Sequence, residues 1–127
     1  VVGGVSFDSR SVLGLHASAL EAHDMAVSMK HFVLFYDYPA DFRERRTPHR
    51  AMHLEHAKAS VARDELQLGG ACAEDDPPLG LLLFKGDSAR VAEDFARADP
   101  YVLNGVVTSW RVREWVTVVG AGALTKV

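Results

Sequence analysis

The chain has 127 residues with 14 basic and 17 acidic side chains, which gives a formal net charge of −3. This length predicts one domain with a modest core, and an apolar fraction of 48% is typical of a globular protein. The charge balance and the lack of a basic stripe argue against a nucleic-acid partner. Cys72 is the only cysteine and cannot form an intrachain disulfide, so we expect a reducing, cytoplasmic setting.

The first 28 residues differ in composition from the rest of the chain. They are rich in Val, Gly, Ser and Ala and show no sustained strand pattern. We interpret residues 1–28 as an N-terminal extension that packs loosely, residues 29–120 as the domain and residues 121–127 as a C-terminal tail. No stretch reaches the roughly 20 apolar residues that a membrane-spanning helix needs, so we expect no membrane partner.

Strand and helix patterns alternate from His31 onward. The segment His31–Tyr36 is β-branched and aromatic, which favours a strand buried on both faces. Three further segments are predicted strands: 66–72, 79–84 and 106 to about 119.

A helix is predicted between the first two strands, after a charged loop over Asp41–Thr47. Thr47 is the expected N-cap and Pro48 the first helical residue, and the helix should end near Asp64. Its expected core face consists of Leu54, Ala57 and Val61. A second helix, capped by Asp87 or Ser88, should stop at Asp99-Pro100.

The element order β-α-β-β-α-β predicts an α+β, ferredoxin-like fold, with a four-stranded antiparallel sheet and two helices on one face. Its central strands, 32–36 and 81–84, are apolar at every position. Such strands need cover on both faces of the sheet, and the helices cover only one. We therefore expect a homodimer formed through the other face.

Several motifs resemble the YCII-related (YciI-like) family of the dimeric α+β barrel superfamily. They are the strand Phe32–Tyr36, the segment Arg50-Ala51-Met52-His53-Leu54 after Arg45-Arg46, the segment Gly69-Gly70-Ala71, and Asp99-Pro100-Tyr101 with Gly105-Val106 behind it. The resemblance covers residues 29 to about 120. It implies a ferredoxin-like dimer with a cleft centred on a His/Asp pair, which corresponds here to His53 and Asp99.

The residues themselves are compatible with that assignment. His53 falls at the border of the expected core face, where an imidazole can reach a cleft, and an imidazole oriented by a carboxylate is the minimal machinery for proton transfer. The dipole of the second helix opposes the negative charge of Asp99 at its C-terminus, so a His or Arg partner is expected. The alternative is a partly buried structural histidine and a carboxylate that merely begins a turn.

Arg50 and Tyr101 are the main candidates for binding a substrate. Arg50 lies toward the expected core side, and a buried guanidinium needs an anion, which could be an acidic or phenolate substrate, Asp99 or Glu74. Tyr101 could place its phenol in the cleft or cover a helix end. Tyr36 and Tyr38, near the end of the first strand, are weaker candidates for the pocket wall.

A metal site is the rival interpretation. His49, His53 and His56 are spaced at i, i+4 and i+7, but three histidines of one rigid helix rarely converge on one centre. His49 and His56 also project away from the expected core face. We therefore expect no metal.

The sequence contains no serine-nucleophile elbow and no nucleotide-binding glycine loop, so we expect no cofactor. The family resemblance implies a small cyclic or aromatic substrate and a lyase, dehydrohalogenase or isomerase reaction through a ring enolate. The alternative is a non-catalytic small-ligand-binding or accessory dimer. The two differ at His53, because an enzyme needs one ring nitrogen facing an open cavity.

Overall fold

A computed structural model describes residues 29–127, so the N-terminal extension expected over residues 1–28 lies outside the described residues. The strands are β1 (Lys30–Asp37), β2 (Leu66–Cys72), β3 (Leu79–Gly86) and β4 (Ser109–Trp115). The helices are α1 (Phe42–Arg46), α2 (Arg50–Ala62), α3 (Arg90–Ala98) and α4 (Pro100–Leu103), with one 3-10 turn at Thr47–His49. The limits 29–120 for the domain and 121–127 for the tail stay predictions.

The four strands form one antiparallel sheet in the order β2-β3-β1-β4. This is the ferredoxin-like arrangement that the element order predicts, with β1 and β3 at the centre. On the helix-covered face, Phe32 of β1 lies opposite Phe84 of β3, and Leu34 lies opposite Leu82. All four side chains are buried, and Phe95 of α3 packs against Phe84.

The other face of the sheet stays apolar and uncovered in the single chain. Leu68 of β2 is 73% exposed and Trp115 of β4 is 53% exposed. Between them, Val33, Phe35 and other half-buried side chains of the central strands line a broad apolar depression. The segment after β4 covers one end of this face, where Thr117 contacts His31, and the protomer leaves the rest without a packing partner.

The expected loop and helix start before α2 are wrong in detail. Residues Phe42–Arg46 form a helical turn instead of a loop, because the buried side chain of Phe42 anchors it in the core. Thr47 does not cap α2. Its hydroxyl donates a hydrogen bond to the carbonyl oxygen of Arg43 at 2.9 Å, so it closes α1.

Helix α2 is rotated from the predicted orientation. Leu54 is 38% exposed and Val61 is 55% exposed, although the apolar spacing assigns both to the core. The inward face consists of His53, His56, Ala57 and Ser60. Ser60 is fully buried and its hydroxyl accepts a hydrogen bond from the Leu66 amide at 3.2 Å. Polar side chains that find partners can be buried, so hydrogen bonding overrides the apolar pattern here.

The last strand is shorter than predicted. The amides of Val106 and Val107 both donate to the carbonyl oxygen of Tyr101, at 2.9 and 3.1 Å. They close the end of α4 and are not available to a strand, so β4 begins at Ser109 and ends at Trp115. No helix within residues 29–127 is long and apolar enough to cross a membrane.

Candidate active site

Asp99 lies at the junction of α3 and α4 and is fully buried. It ends α3, and its side chain caps α4, because Oδ1 accepts a hydrogen bond from the Tyr101 amide at 2.9 Å. The dipole of α3 opposes a negative charge at this point, as the sequence analysis states. The amides at the N-terminus of α4 stabilise the same negative charge. The sequence analysis did not predict this second effect.

His53 of α2 meets this carboxylate directly. Its Nδ1 lies 2.8 Å from Asp99 Oδ1, and its side chain is mostly buried. An ionised carboxylate can only accept hydrogen bonds, so Nδ1 carries the proton. In the neutral imidazole the free lone pair is then on Nε2, and within residues 29–127 Nε2 has no hydrogen-bond partner.

Tyr36 of β1 completes the environment of the carboxylate. Its hydroxyl donates to Asp99 Oδ2 at 2.6 Å, and the side chain is fully buried. Burial, followed by the negative charge of Asp99, raises the pKa of the Tyr36 phenol, which therefore remains a donor. The sequence analysis named Tyr36 as a candidate for the pocket wall. Tyr36 is outside the cavity wall, and its hydroxyl is bonded to Asp99, so we expect it to position Asp99 and not to touch a ligand.

Tyr101 packs on the other side of the imidazole. Its ring is stacked on that of His53, with centroids 3.7 Å apart and planes 4° from parallel. Burial raises the pKa of the Tyr101 phenol, although the positive charges of Arg46 and Arg50 oppose the shift. The sequence left open whether Tyr101 lines the cleft or covers a helix end. Tyr101 is buried and also forms part of a cavity wall, so the two alternatives do not exclude each other.

A cavity of about 360 Å³ lies between α2 and the β2–β3 side of the sheet. His53, Tyr38 and Tyr101 form its polar end. Its apolar wall consists of Leu54, Ala57, Val61, Leu66, Leu82 and the segment Gly69–Ala71. Leu54 and Val61, displaced from the core by the rotation of α2, thus face this cavity. Its volume is at the lower end of the range for small-molecule sites and suits a ligand with one ring.

Basic side chains alone supply the charge in the cavity wall, which contains Arg46, Arg50 and Lys58 and no carboxylate among the described residues. Arg50 is exposed, which corrects the expectation that it lies toward the core. Neither expected protein partner binds it, because Glu74 pairs with Arg43 and Asp99 with His53. The wall therefore favours an anionic ligand.

Sequence reasoning missed Lys58 and ranked Tyr38 too low. Arg50, Leu54, Lys58 and Val61 follow one another at i, i+4, i+8 and i+11, which is a continuous helix stripe. The sequence analysis interpreted the apolar members of this stripe as a core face. An interpretation as a cavity wall would have identified Lys58 as a wall residue. Tyr38 is brought to the cavity by the turn after β1, which no periodicity encodes.

The sequence analysis expected His56 to project away from the core, but its side chain points inward. Its Nε2 lies 3.0 Å from the carbonyl oxygen of Phe95, and its ring stacks on Phe95 with centroids 4.3 Å apart. His53 is held by Asp99, so the two histidines have different partners. Within residues 29–127, no group of three or more His, Cys, Asp or Glu side chains is arranged to hold a metal ion.

Comparison with known proteins gives a family and a fold. The family model described as the YCII-related domain matches residues 29–116, more than half of the chain. No curated protein matches. The structure of 5-chloro-2-hydroxyhydroquinone dehydrochlorinase from Burkholderia phenoliruptrix, complexed with 2,5-dihydroxybenzoquinone, is similar with a TM-score of 0.55 and 21% identity, covering 68% of this chain and 94% of that one. Rv0793 from Mycobacterium tuberculosis has a TM-score of 0.45 and 16% identity, covering 74% and 99%.

Proposed function

The chain belongs to the YCII-related family, and from this premise we propose that it is an acid/base enzyme of the lyase or isomerase type that needs no cofactor. Its substrate is a small cyclic or aromatic compound, and His53 with Asp99 moves the proton. The observation that carries the proposal is the 2.8 Å contact between His53 Nδ1 and the buried Asp99 carboxylate, beside a cavity. This contact leaves Nε2 free to act as a base.

In the proposed step, Nε2 of His53 takes a proton from a ring carbon that lies next to a ring carbonyl group, as in the keto tautomer of a hydroxylated ring. The C–H electron pair enters the ring as an enolate, and the buried carboxylate of Asp99 stabilises the imidazolium that forms. Arg50 supplies positive charge to the enolate oxygen. In an elimination a carbon–halogen bond then breaks and halide leaves, whereas in an isomerisation the imidazolium returns the proton to another ring atom.

The dehydrochlorinase of similar fold supports this reaction class, because its name describes loss of chloride from a hydroxylated ring. The alternative is a non-catalytic small-ligand-binding or accessory dimer. A binder could hold both ring nitrogens of His53, but within the described part of the chain only Nδ1 is bonded. The free Nε2 therefore favours the enzyme.

We further propose that the protein is a cytoplasmic homodimer that forms through the uncovered sheet face. The half-buried apolar side chains of β1 and β3, together with exposed Leu68 and Trp115, make the centre and the β2 edge of that face apolar, while Arg111 and Arg113 of β4 border it. A second copy would bury it, which is how such sheets usually become covered on both faces. The lone cysteine fits a reducing compartment.

The test is turnover of a panel of hydroxylated and halogenated single-ring compounds, followed by halide release and by absorbance. His53→Gln should abolish turnover and leave the melting temperature within a few degrees, since Gln keeps a polar side chain near Asp99. His49→Gln is the matched control, because His49 is outside the cavity wall. If His53→Gln retains the activity of the unaltered protein, the acid/base proposal is wrong and the accessory-dimer alternative takes its place.

A further inference from the structure

Two tyrosines of the cavity wall, Tyr38 and Tyr101, carry hydroxyl groups whose role the proton transfer leaves open. The side chains are 9% and 4% exposed. Within residues 29–127 neither hydroxyl has a hydrogen-bond partner, whereas the hydroxyl of Tyr36, the third tyrosine, is bonded to Asp99. A buried polar group without a partner lowers the stability of the folded state, so its presence needs an explanation such as a bound ligand.

Both phenol rings are held in place by stacking. The ring of Tyr38 lies on Phe42 with centroids 4.6 Å apart, and that of Tyr101 lies on His53. The Tyr38 hydroxyl also lies against Gly80, where an added Cβ would be only 2.8 Å from it. Donors that are fixed before a ligand arrives need little reorganisation during a reaction, which is what stabilisation of a developing charge requires.

The charges around these hydroxyls are positive. Arg46 lies 5.2 Å above the Phe42 ring that supports Tyr38, and Arg50 lies in the same cavity wall. Within the described residues neither arginine has an ion-pair partner. The preceding arginines of α1 do have such partners, since Arg43 binds Glu74 and Arg45 binds Asp41. The cavity therefore has uncompensated positive charge beside two fixed donors.

The two phenols stay neutral donors at ordinary pH. Burial, followed by the neighbouring Tyr101, raises the pKa of Tyr38, and burial raises that of Tyr101. A neutral hydroxyl can donate to an anion, whereas a phenolate could not. The arrangement thus resembles an oxyanion-binding pair placed next to the base, His53.

We propose that Tyr38 and Tyr101 donate hydrogen bonds to a negatively charged oxygen on a single-ring substrate. The cavity accordingly holds an oxyanion in both cases: the phenolate of a hydroxylated ring that binds ionised, and the enolate that forms when His53 removes the α proton of a ring ketone. This inference rests on the function proposed above for the same cavity, because it names the negatively charged oxygen of the substrate on which His53 acts. It adds Tyr38, and the hydroxyl of Tyr101, to the groups that select the substrate.

The test uses the full chain and 4-nitrophenol, a ring whose ionised form is coloured. Binding should favour the anion and therefore increase the colour at a pH where the free compound is partly ionised. Tyr38→Phe and Tyr101→Phe should each weaken binding of the anion by about tenfold, the usual effect of one hydrogen bond to a charged group. Their melting temperatures should equal or exceed that of the unaltered protein, because each change removes a buried hydroxyl without a partner.

Two controls separate this inference from a general loss of structure. Tyr36→Phe removes a hydroxyl outside the cavity wall and should leave 4-nitrophenolate affinity unchanged. Nitrobenzene lacks the anionic oxygen and should bind the Tyr38→Phe variant as well as it binds the unaltered protein. The inference is overturned if both cavity variants bind 4-nitrophenolate with undiminished affinity, or if the unaltered protein binds it no better than nitrobenzene.

The outcome is independent of turnover. If His53→Gln keeps its activity while the tyrosine variants lose the phenolate, the acid/base proposal fails and the anion site stands. If His53→Gln is inactive while the tyrosine variants bind normally, the anion site fails and the base stands.

Discussion

The imidazole of His53 and the ring of Tyr101 lie face to face, with centroids 3.7 Å apart and planes 4° from parallel. The amide of Tyr101 donates to the same Asp99 oxygen that lies 2.8 Å from His53 Nδ1. The short segment Asp99-Pro100-Tyr101 therefore fixes the imidazole in two ways, through a hydrogen bond in the ring plane and through a stacking contact above it. Neither restraint involves Nε2, which is the ring nitrogen without a hydrogen-bond partner among the described residues.

The support of Asp99 by Tyr36 predicts a graded series of activities. Asp99→Asn replaces an acceptor with an amide that no longer carries negative charge, so turnover should fall by about 10²-fold or more. Tyr36→Phe leaves the charge and removes one hydrogen bond, so the loss should be about tenfold. Because Tyr36 is outside the cavity wall, kcat should fall in that variant while KM changes little.

A purely structural role for Tyr36 would give a different pattern. Tyr36→Phe would then lower the melting temperature without changing kcat of the folded protein. A KM increase without a kcat decrease would instead place Tyr36 in contact with the substrate, as the sequence alone suggested.

Much of the fold could be predicted because it depends on local patterns. The apolar run of β1 and the Asp99-Pro100 boundary each act within a few residues, and both were placed correctly. The orientation of α2 could not be predicted this way. It depends on two hydrogen bonds that the apolar pattern does not show, one from the Leu66 amide to Ser60 and one between His56 and Phe95 of α3, 39 positions away. Leu54 and Val61 then line a cavity, which an apolar pattern cannot distinguish from a core.

The same reason limits prediction of the site. Arg50-x-x-His53 and Asp99 are recognisable as motifs, so their proximity could be expected. The hydrogen bond from Tyr36 to Asp99 joins residues 63 positions apart and has no local signature. The place of Tyr38 in the cavity wall depends on the stacking of its ring on Phe42, in a segment that the sequence predicted as a loop.

The contacts of His56 predict a structural role for this residue. His56→Ala removes the hydrogen bond to the Phe95 carbonyl oxygen and the stacking on the Phe95 ring, so unfolding free energy should fall by about 1–3 kcal/mol. Denaturant unfolding would measure this loss. His49→Ala at the start of the same helix should cost less, and kcat of folded His56→Ala should be nearly unchanged. Equal stability of the two variants would contradict the assignment.

His31 of β1 predicts a loss of stability in mild acid. Burial, followed by the positive charge of Lys85 opposite it on β3, lowers the pKa of His31 below its usual 6.5. The folded state therefore keeps the imidazole neutral, while the unfolded chain takes up a proton as pH falls below about 6.5. Its contribution to stability is complete above that pH and is lost as pH falls toward the folded pKa.

The measurement is the unfolding free energy at pH 7.5 and at about pH 5.5, at one protein concentration. His31→Gln has no titrating group at this position and keeps a polar side chain near Thr117 Oγ1, which lies 2.8 Å from His31 Nδ1. The variant should therefore show a smaller decrease between the two pH values, with the difference below the limit of about 1.4 kcal/mol per pH unit for one group. Identical pH dependence in both proteins would exclude His31 as the source.

The uncovered sheet face predicts a dimer that charge can disrupt. Val33→Lys and Leu68→Lys together place two ammonium groups in the apolar depression, where a second copy would bury them. Burying an unpaired charge costs several kcal/mol, so the variant should sediment as a monomer at micromolar concentrations at which the unaltered chain is a dimer. Leu103→Lys adds a charge at an equally exposed position on α4, outside this face, and should remain dimeric. If the unaltered chain is itself a monomer at these concentrations, the proposed interface is wrong, because nothing would then keep that apolar face from water.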